Sequence, residues 1–183
     1  MGILKEPAQL VKGLNLPAGF TVCELGDQWM AGLKTPQLAA DWFKALGCGH
    51  YASIDGNGKG TLTFDLNLPL RPFPGPYDLV TDFGTGEHIF DQAQVWRTIH
   101  DLTKLDGYIA FDRPSQGYPG HCYYRFDRCL YEDVAAANGY KVLALETAKT
   151  PRGELIRGVF KRPARAVSFV VPQQGRYHAT LVI

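Results

Sequence analysis

Apolar positions along the chain change period several times, and each change marks an element. Leu4, Leu10, Val11 and Leu14 share one side of a helical wheel and Pro17 ends the segment, so a short amphipathic helix leads the chain. A near-continuous apolar run over 20–25 reads as a buried strand. Thr35-Pro36 has the form of a helix start, with threonine at the N-cap and proline in the first turn. Leu38, Ala39, Trp42, Phe43 and Leu46 then keep helical spacing up to Gly47, which assigns Trp42 and Phe43 to the core rather than to a cofactor.

A second strand spans 50–55 and stops at the turn signal Asp55-Gly56-Asn57-Gly58; a third spans 61–64. Pro69, Pro72, Pro74 and Pro76 make 69–76 an irregular connection. The fourth strand spans 78–82. A helix over 92–102 turns Val95, Trp96, Ile99 and Leu102 inward, and a fifth strand spans 107–111. Residues 112–120 are polar, broken by glycine and proline, and read as a loop. A helix over 128–138 ends at Gly139, and strands over 140–147 and 155–161 join through the hairpin-like Pro151-Arg152-Gly153. The runs 167–171 and 178–183 are β-rich, without an assignable place. Strands alternating with helices, then a hairpin, predict an α/β fold: a doubly wound, mostly parallel seven-stranded sheet with helices on both faces and an antiparallel C-terminal hairpin. The expected organisation is one domain over 1–183, with a lead-in over 1–19, a core over 20–161 and an extension over 162–183.

Composition narrows the function. The chain has 183 residues, 45% hydrophobic and 20% charged, with 19 basic against 18 acidic side chains. A net charge near +1 gives no broad attraction to nucleic acid or a membrane, and Arg157, Lys161, Arg162 and Arg165 read as a solvated cluster. Cys23, Cys48, Cys122 and Cys129 show no CxxC pair and no metal spacing, so reduced thiols, no metal and a cytoplasmic location are the expectation. The first residues show no signal-peptide h-region, and no apolar run approaches membrane-spanning length, so no leader or membrane span is expected. The partner class is then a small molecule, and the β-rich tail leaves room for pairing into a homodimer.

Chemistry concentrates at the strand ends. Glu24, Asp55, Asp65 and Asp82 each close or follow an apolar run, and Gly84-Thr85-Gly86 delivers Glu87 and His88 just after the fourth strand. Open α/β sheets place ligand sites at such carboxyl ends. The expectation is that these four carboxylates converge on one pocket.

This order of elements resembles the class I S-adenosylmethionine-dependent methyltransferases over residues 20–161. The resemblance is closest to a subgroup with LGxQ, DLNxP and GTxEHxF turns, here Leu25-Gly26-Asp27-Gln28, Asp65-Leu66-Asn67-Leu68-Pro69 and Gly84-Thr85-Gly86-Glu87-His88-Ile89-Phe90. Gly120-His121-Cys122-Tyr123-Tyr124 and Val171-Pro172-Gln173-Gln174-Gly175-Arg176-Tyr177 match further patterns of that subgroup. The resemblance implies a Rossmann-like fold and S-adenosylmethionine as cofactor. Glu24, Gly26 and Asp27 would then approach the methionine part and Asp55 the ribose hydroxyls. Asp65 and Leu66 would meet the adenine, and Asp82, Phe83 and Gly84 would line the cleft toward the acceptor. The family's glycine-rich first loop is reduced here to Gly26 followed by Asp27, Gln28 and Trp29, bulky enough to narrow or close the methionine pocket.

Several residues keep two readings. Glu87 is either a catalytic carboxylate or the cap of the helix that follows, and on a helix it would point about 100° from His88, so the two would not face one atom. His88 is either a general base or a histidine bonded to backbone. His121 serves substrate recognition or proton transfer, or belongs to a surface loop packed by aromatics. Asp55 and Asp65 hold the cofactor or only close turns. Methyl transfer to an oxygen or nitrogen of a small molecule is the leading function. A methyltransferase-like binding module without catalysis is the alternative; a nicotinamide oxidoreductase lacks its G-x-G-x-x-G fingerprint.

Overall fold

Strand side chains in β2 (Thr21–Leu25) alternate between two hydrophobic clusters: Cys23 and Leu25 pack into one, Val22 into the other. Neighbouring strands repeat the alternation. In β7 (Tyr77–Asp82) Val80 joins the first cluster and Leu79 the second; in β8 (Thr103–Gly117) Ile109 and Phe111 face one way and Ala110 the other. A sheet with apolar residues on both faces requires cover on both. Helices α1 (Lys5–Lys12) and α2 (Ala39–Ala45) supply one layer through Ala8, Val11, Trp42 and Phe43. Helices α3 (Gln92–Leu102) and α4 (Arg128–Asn138) supply the other through Val95, Trp96, Ile99, Tyr131 and Val134.

The computed structural model describes residues 2–32, 35 and 37–173. With β5 (His50–Asp55), β6 (Leu62–Thr63), β9 (Lys141–Thr150) and β10 (Gly153–Lys161), the main sheet has seven strands in the order β6-β5-β2-β7-β8-β10-β9. The first five are parallel, and β8-β10-β9 run antiparallel. The register pairs Leu25 with both Ile54 and Asp82, so Gly26, Asp55 and Phe83 emerge together at one edge. Strand order reverses between β2 and β7, the place where open α/β sheets leave a crevice. No helix among the described residues is long and apolar enough to cross a membrane, and the four cysteines carry no disulfide.

Three local expectations change. Residues 112–117 are not loop: β8 continues to Gly117, paired with β10 through Asp112–Arg157 and Arg113–Ile156. Buried ion pairs of Asp112 with Arg157 and of Arg113 with Asp82 offset the cost of putting polar residues inside the sheet. The second helix starts at Ala39, because Gln37–Leu38 (β4) pairs with Trp29–Met30 (β3) in a small sheet completed by Gly2–Ile3 (β1). Pro36 of its expected start lies outside the described residues, as do 174–177 of the last motif and the run 178–183. Residues 167–171 form no strand; instead the Asn138 side-chain amide bonds both backbone groups of Val170, at 2.8 and 3.0 Å.

Candidate functional site

At the crevice a cavity of about 920 Å³ opens. Asp27, Asp55, Asp65, Leu66, Gly84, His88 and His121 line it, together with residues that sequence reasoning did not assign to a site: Gln28, Phe64, Thr85 and Arg152. The turn after β2 sets its shape. Gly26 has φ +88° and donates its N–H to Ile54 O at 2.8 Å; a Cβ there would collide with the Thr85 hydroxyl and with Gln28 Nε2 at 2.6 Å. Asp55 then ties two turns together, its carboxylate accepting from Asp27 N and Asn57 N, each at 2.9 Å.

Side chains pack closely around this turn. Gln28 Nε2 donates to Thr85 Oγ1 at 3.1 Å, and that hydroxyl donates to Leu25 O at 2.9 Å. Gln28 is only 4% exposed, and its carbonyl oxygen has no partner among the described residues. Trp29 does not close the cavity: it is 44% exposed and faces a neighbouring one. Asp65 is exposed and accepts from the backbone and side-chain amides of Asn67, which hold its carboxyl below the usual range.

The four strand-end carboxylates do not all reach this surface. Asp55 and Asp65 do; Glu24 and Asp82 are fully buried beneath it. Glu24 accepts from Tyr51 Oη at 2.6 Å and from Thr81, and burial pushes its carboxyl up to about 8. Asp82 pairs with the buried Arg113 guanidinium, which stacks between Trp96 and Phe126, and also accepts the N–H groups of Thr85 and Gly86. Both acids therefore shape the floor. Phe83 faces the neighbouring cavity instead.

Glu87 and His88 sit on a single 3-10 turn, Gly86–His88, rather than at the start of α3, which Asp91 caps by accepting from Gln94 N. In that tighter turn they face each other, with Glu87 Oε1 3.9 Å from His88 Nε2, contrary to the helical expectation. The Glu87 carbonyl accepts the amides of both Tyr123 and Tyr124, at 3.1 and 3.2 Å, which brings the loop bearing His121 alongside. The His88 and His121 rings meet edge to face, centroids 5.0 Å apart. Burial, reinforced by the Asp82 charge, pushes the Glu87 carboxyl up to about 8; burial lowers both imidazoles.

A second cavity of about 690 Å³ shares His121 and Arg152 with the first. Trp29, Phe83, Pro114 and Tyr118 give it apolar walls, and Asp112 with Arg157 a charged end. Burial raises the Asp112 carboxyl to about 7 against the opposing pull of Arg157.

No protein-family model matches the chain, and no curated protein matches it by sequence. Solved structures do. A 1,6-didemethyltoxoflavin-N1-methyltransferase from Burkholderia thailandensis, with bound 1,6-didemethyltoxoflavin and S-adenosylhomocysteine, aligns at TM-score 0.59 and 16% identity over 86% of this chain and 76% of that one. The N-methyltransferase NodS from Bradyrhizobium japonicum WM9, in complex with S-adenosylhomocysteine, aligns at TM-score 0.61 and 15% identity over 87% and 86%. The [4+2]-cyclase SpnF aligns at TM-score 0.62 and 10% identity over 88% and 81%. With its seven-stranded sheet and C-terminal antiparallel hairpin, the chain has the Rossmann-like methyltransferase fold.

Proposed function

We propose that the chain transfers a methyl group from S-adenosylmethionine to an oxygen or nitrogen atom of a small molecule. One observation carries the reading: two cavities, of about 920 and 690 Å³, meet at His121 and Arg152, and the first is walled by the turns after β2, β5, β6 and β7. Neighbours of this fold hold S-adenosylhomocysteine, and one also holds 1,6-didemethyltoxoflavin.

The residues present fit such a cofactor. Asp55 keeps a lone pair on each oxygen for the ribose hydroxyls, since each already accepts only one backbone N–H. Asp65 Oδ2 is available to an exocyclic amine, with Leu66 and Phe64 beside it for the ring. The Gln28 carbonyl oxygen, without a partner among the described residues, and Asp27 suit an ammonium, and Arg152 suits a carboxylate. When bound, S-adenosylmethionine supplies an electrophilic methyl group on a sulfonium.

The protein's own contribution is position and proton removal. Phe83, Tyr118 and Trp29 bury the flat body of an acceptor, and Asp112 with Arg157 fixes its polar end. Holding the acceptor atom close to the methyl removes much of the barrier by itself. His121 borders both cavities and His88 the first, where the acceptor's proton has to leave, with Glu87 buried behind them.

Titration calorimetry with S-adenosylhomocysteine tests the reading. Binding by the wild-type protein that is lost in Asp55→Ala supports it; no heat at millimolar ligand overturns it. A binding module without turnover is the second reading. It draws on Gln28 and Thr85, whose side chains stand where a glycine loop would leave room, and on SpnF, a cyclase by name on the same fold. S-adenosylhomocysteine binding with no methyl transfer to any acceptor of a broad panel would select it.

A further inference from the structure

We propose that Glu87, His88 and His121 form a binding site for a divalent first-row transition-metal ion. One carboxylate oxygen and one nitrogen from each imidazole all lie within 4.8 Å of one another. Donors held about 2.1 Å from a common ion sit roughly 3 to 4 Å apart, so small side-chain rotations close the set around a cation. Glu87 already lies 3.9 Å from His88.

The second observation is the state of Glu87. Its side chain is 0% exposed, and neither carboxylate oxygen has a hydrogen-bond partner among the described residues. A carboxylate withdrawn from water normally finds a donor or a cation. The buried Arg113 guanidinium, paired with Asp82 through Nη2, favours the charged form of Glu87 through its field, but no hydrogen bond joins the two side chains among the described residues. The two imidazoles are metal-ligand groups within 4.8 Å of the Glu87 carboxylate.

Backbone structure builds the arrangement. The Glu87 carbonyl holds the amides of Tyr123 and Tyr124, so the loop bearing His121 is fastened to the turn bearing Glu87 and His88. Cys122, in the same loop, turns its thiol onto Tyr124 O at 3.0 Å and stays out of the set. Two imidazoles and one carboxylate select borderline ions such as Zn²⁺, Co²⁺ or Fe²⁺ over Mg²⁺ or Ca²⁺, which prefer all-oxygen shells. Three protein ligands also leave coordination positions open.

The proposed site borders the meeting point of the two cavities, since His88 and His121 line the first and His121 the second. An acceptor with two adjacent oxygen or nitrogen donors would chelate there and lose its proton more readily. This use of the ion rests on the methyl-transfer reading; the binding of the ion does not.

Cobalt titration followed by ligand-field absorption tests the site, with S-adenosylhomocysteine calorimetry run on the same samples. The wild-type chain should bind one Co²⁺ with the spectrum of a nitrogen and oxygen shell. His88→Ala, His121→Ala and the isosteric Glu87→Gln should each weaken binding about ten-fold or more, and Cys122→Ser should leave it unchanged. Circular dichroism of His121→Ala, whose side chain is partly exposed, checks that the fold is kept. No Co²⁺ uptake by the wild-type chain, equal uptake by folded His121→Ala, or a thiolate charge-transfer band overturns the proposal. Co²⁺ uptake without S-adenosylhomocysteine binding upholds the metal site and removes the methyl-transfer reading; the reverse result does the opposite.

Discussion

Asp82 and Arg113 form an ion pair under the cleft, with both side chains wholly withdrawn from solvent. The carboxylate has a second duty, accepting the N–H groups of Thr85 and Gly86, so the turn that carries Glu87 and His88 rests on it. Removing one member of such a pair leaves an uncompensated charge inside, at a cost of about 3–5 kcal/mol. Asp82→Ala should therefore lower unfolding free energy in urea by roughly that amount. Combining Asp82→Asn with Arg113→Met should recover much of the loss, because no charge then stays unpaired.

Gly26 offers a sharper probe of the first cavity. Its left-handed conformation disfavours any side chain by about 1–2 kcal/mol, and a methyl group would also push on Thr85 and Gln28. Gly26→Ala should lose more S-adenosylhomocysteine affinity than Gly19→Ala, whose glycine is also left-handed but has open space around it. Calorimetry on the two variants makes the comparison at matched backbone strain.

Glu24 predicts a pH dependence of stability. Burial raises its carboxyl to about 8, against the ordinary 4.5 in the unfolded chain. The folded state thus binds the extra proton, so the stabilisation is complete below pH 4.5 and is lost as pH rises through about 8. Thermal midpoints measured across that window should fall with pH, and Glu24→Gln should flatten the fall. An equally steep profile in Glu24→Gln would assign the effect to other groups.

The histidines at the junction predict a split between chemistry and binding. His88→Ala and His121→Ala should reduce methyl transfer by roughly 10²–10⁴-fold while changing S-adenosylhomocysteine affinity far less. Equal loss of both would reduce the pair to wall residues of the cavity.

Much of the fold was legible because buried parallel strands and amphipathic helices leave distinct periods. Residues 92–102 and 128–138 carried clear helical signals, the second with Gly139 at its end. What escaped was set by partners distant in sequence. Asp112 and Arg113 look like loop until Arg157 and Asp82 arrive to pair with them. Strands of two residues, such as Gln37–Leu38, carry too few positions for any period. That Asp55, Asp65 and His121 line the first cavity was readable from their turns, whereas the depth of Glu24 and Asp82 was not, since a strand end does not reveal which acid turns down. The approach of Glu87 to His88 depended on a 3-10 turn that no hydrophobic pattern announces.

The two amides held by the Glu87 carbonyl make the turn after β7 and the segment after β8 one mechanical piece. A graft that swaps only one of them into a related scaffold would inherit a mismatched half. Anyone retooling this chain for a different substrate would have to exchange the two segments together.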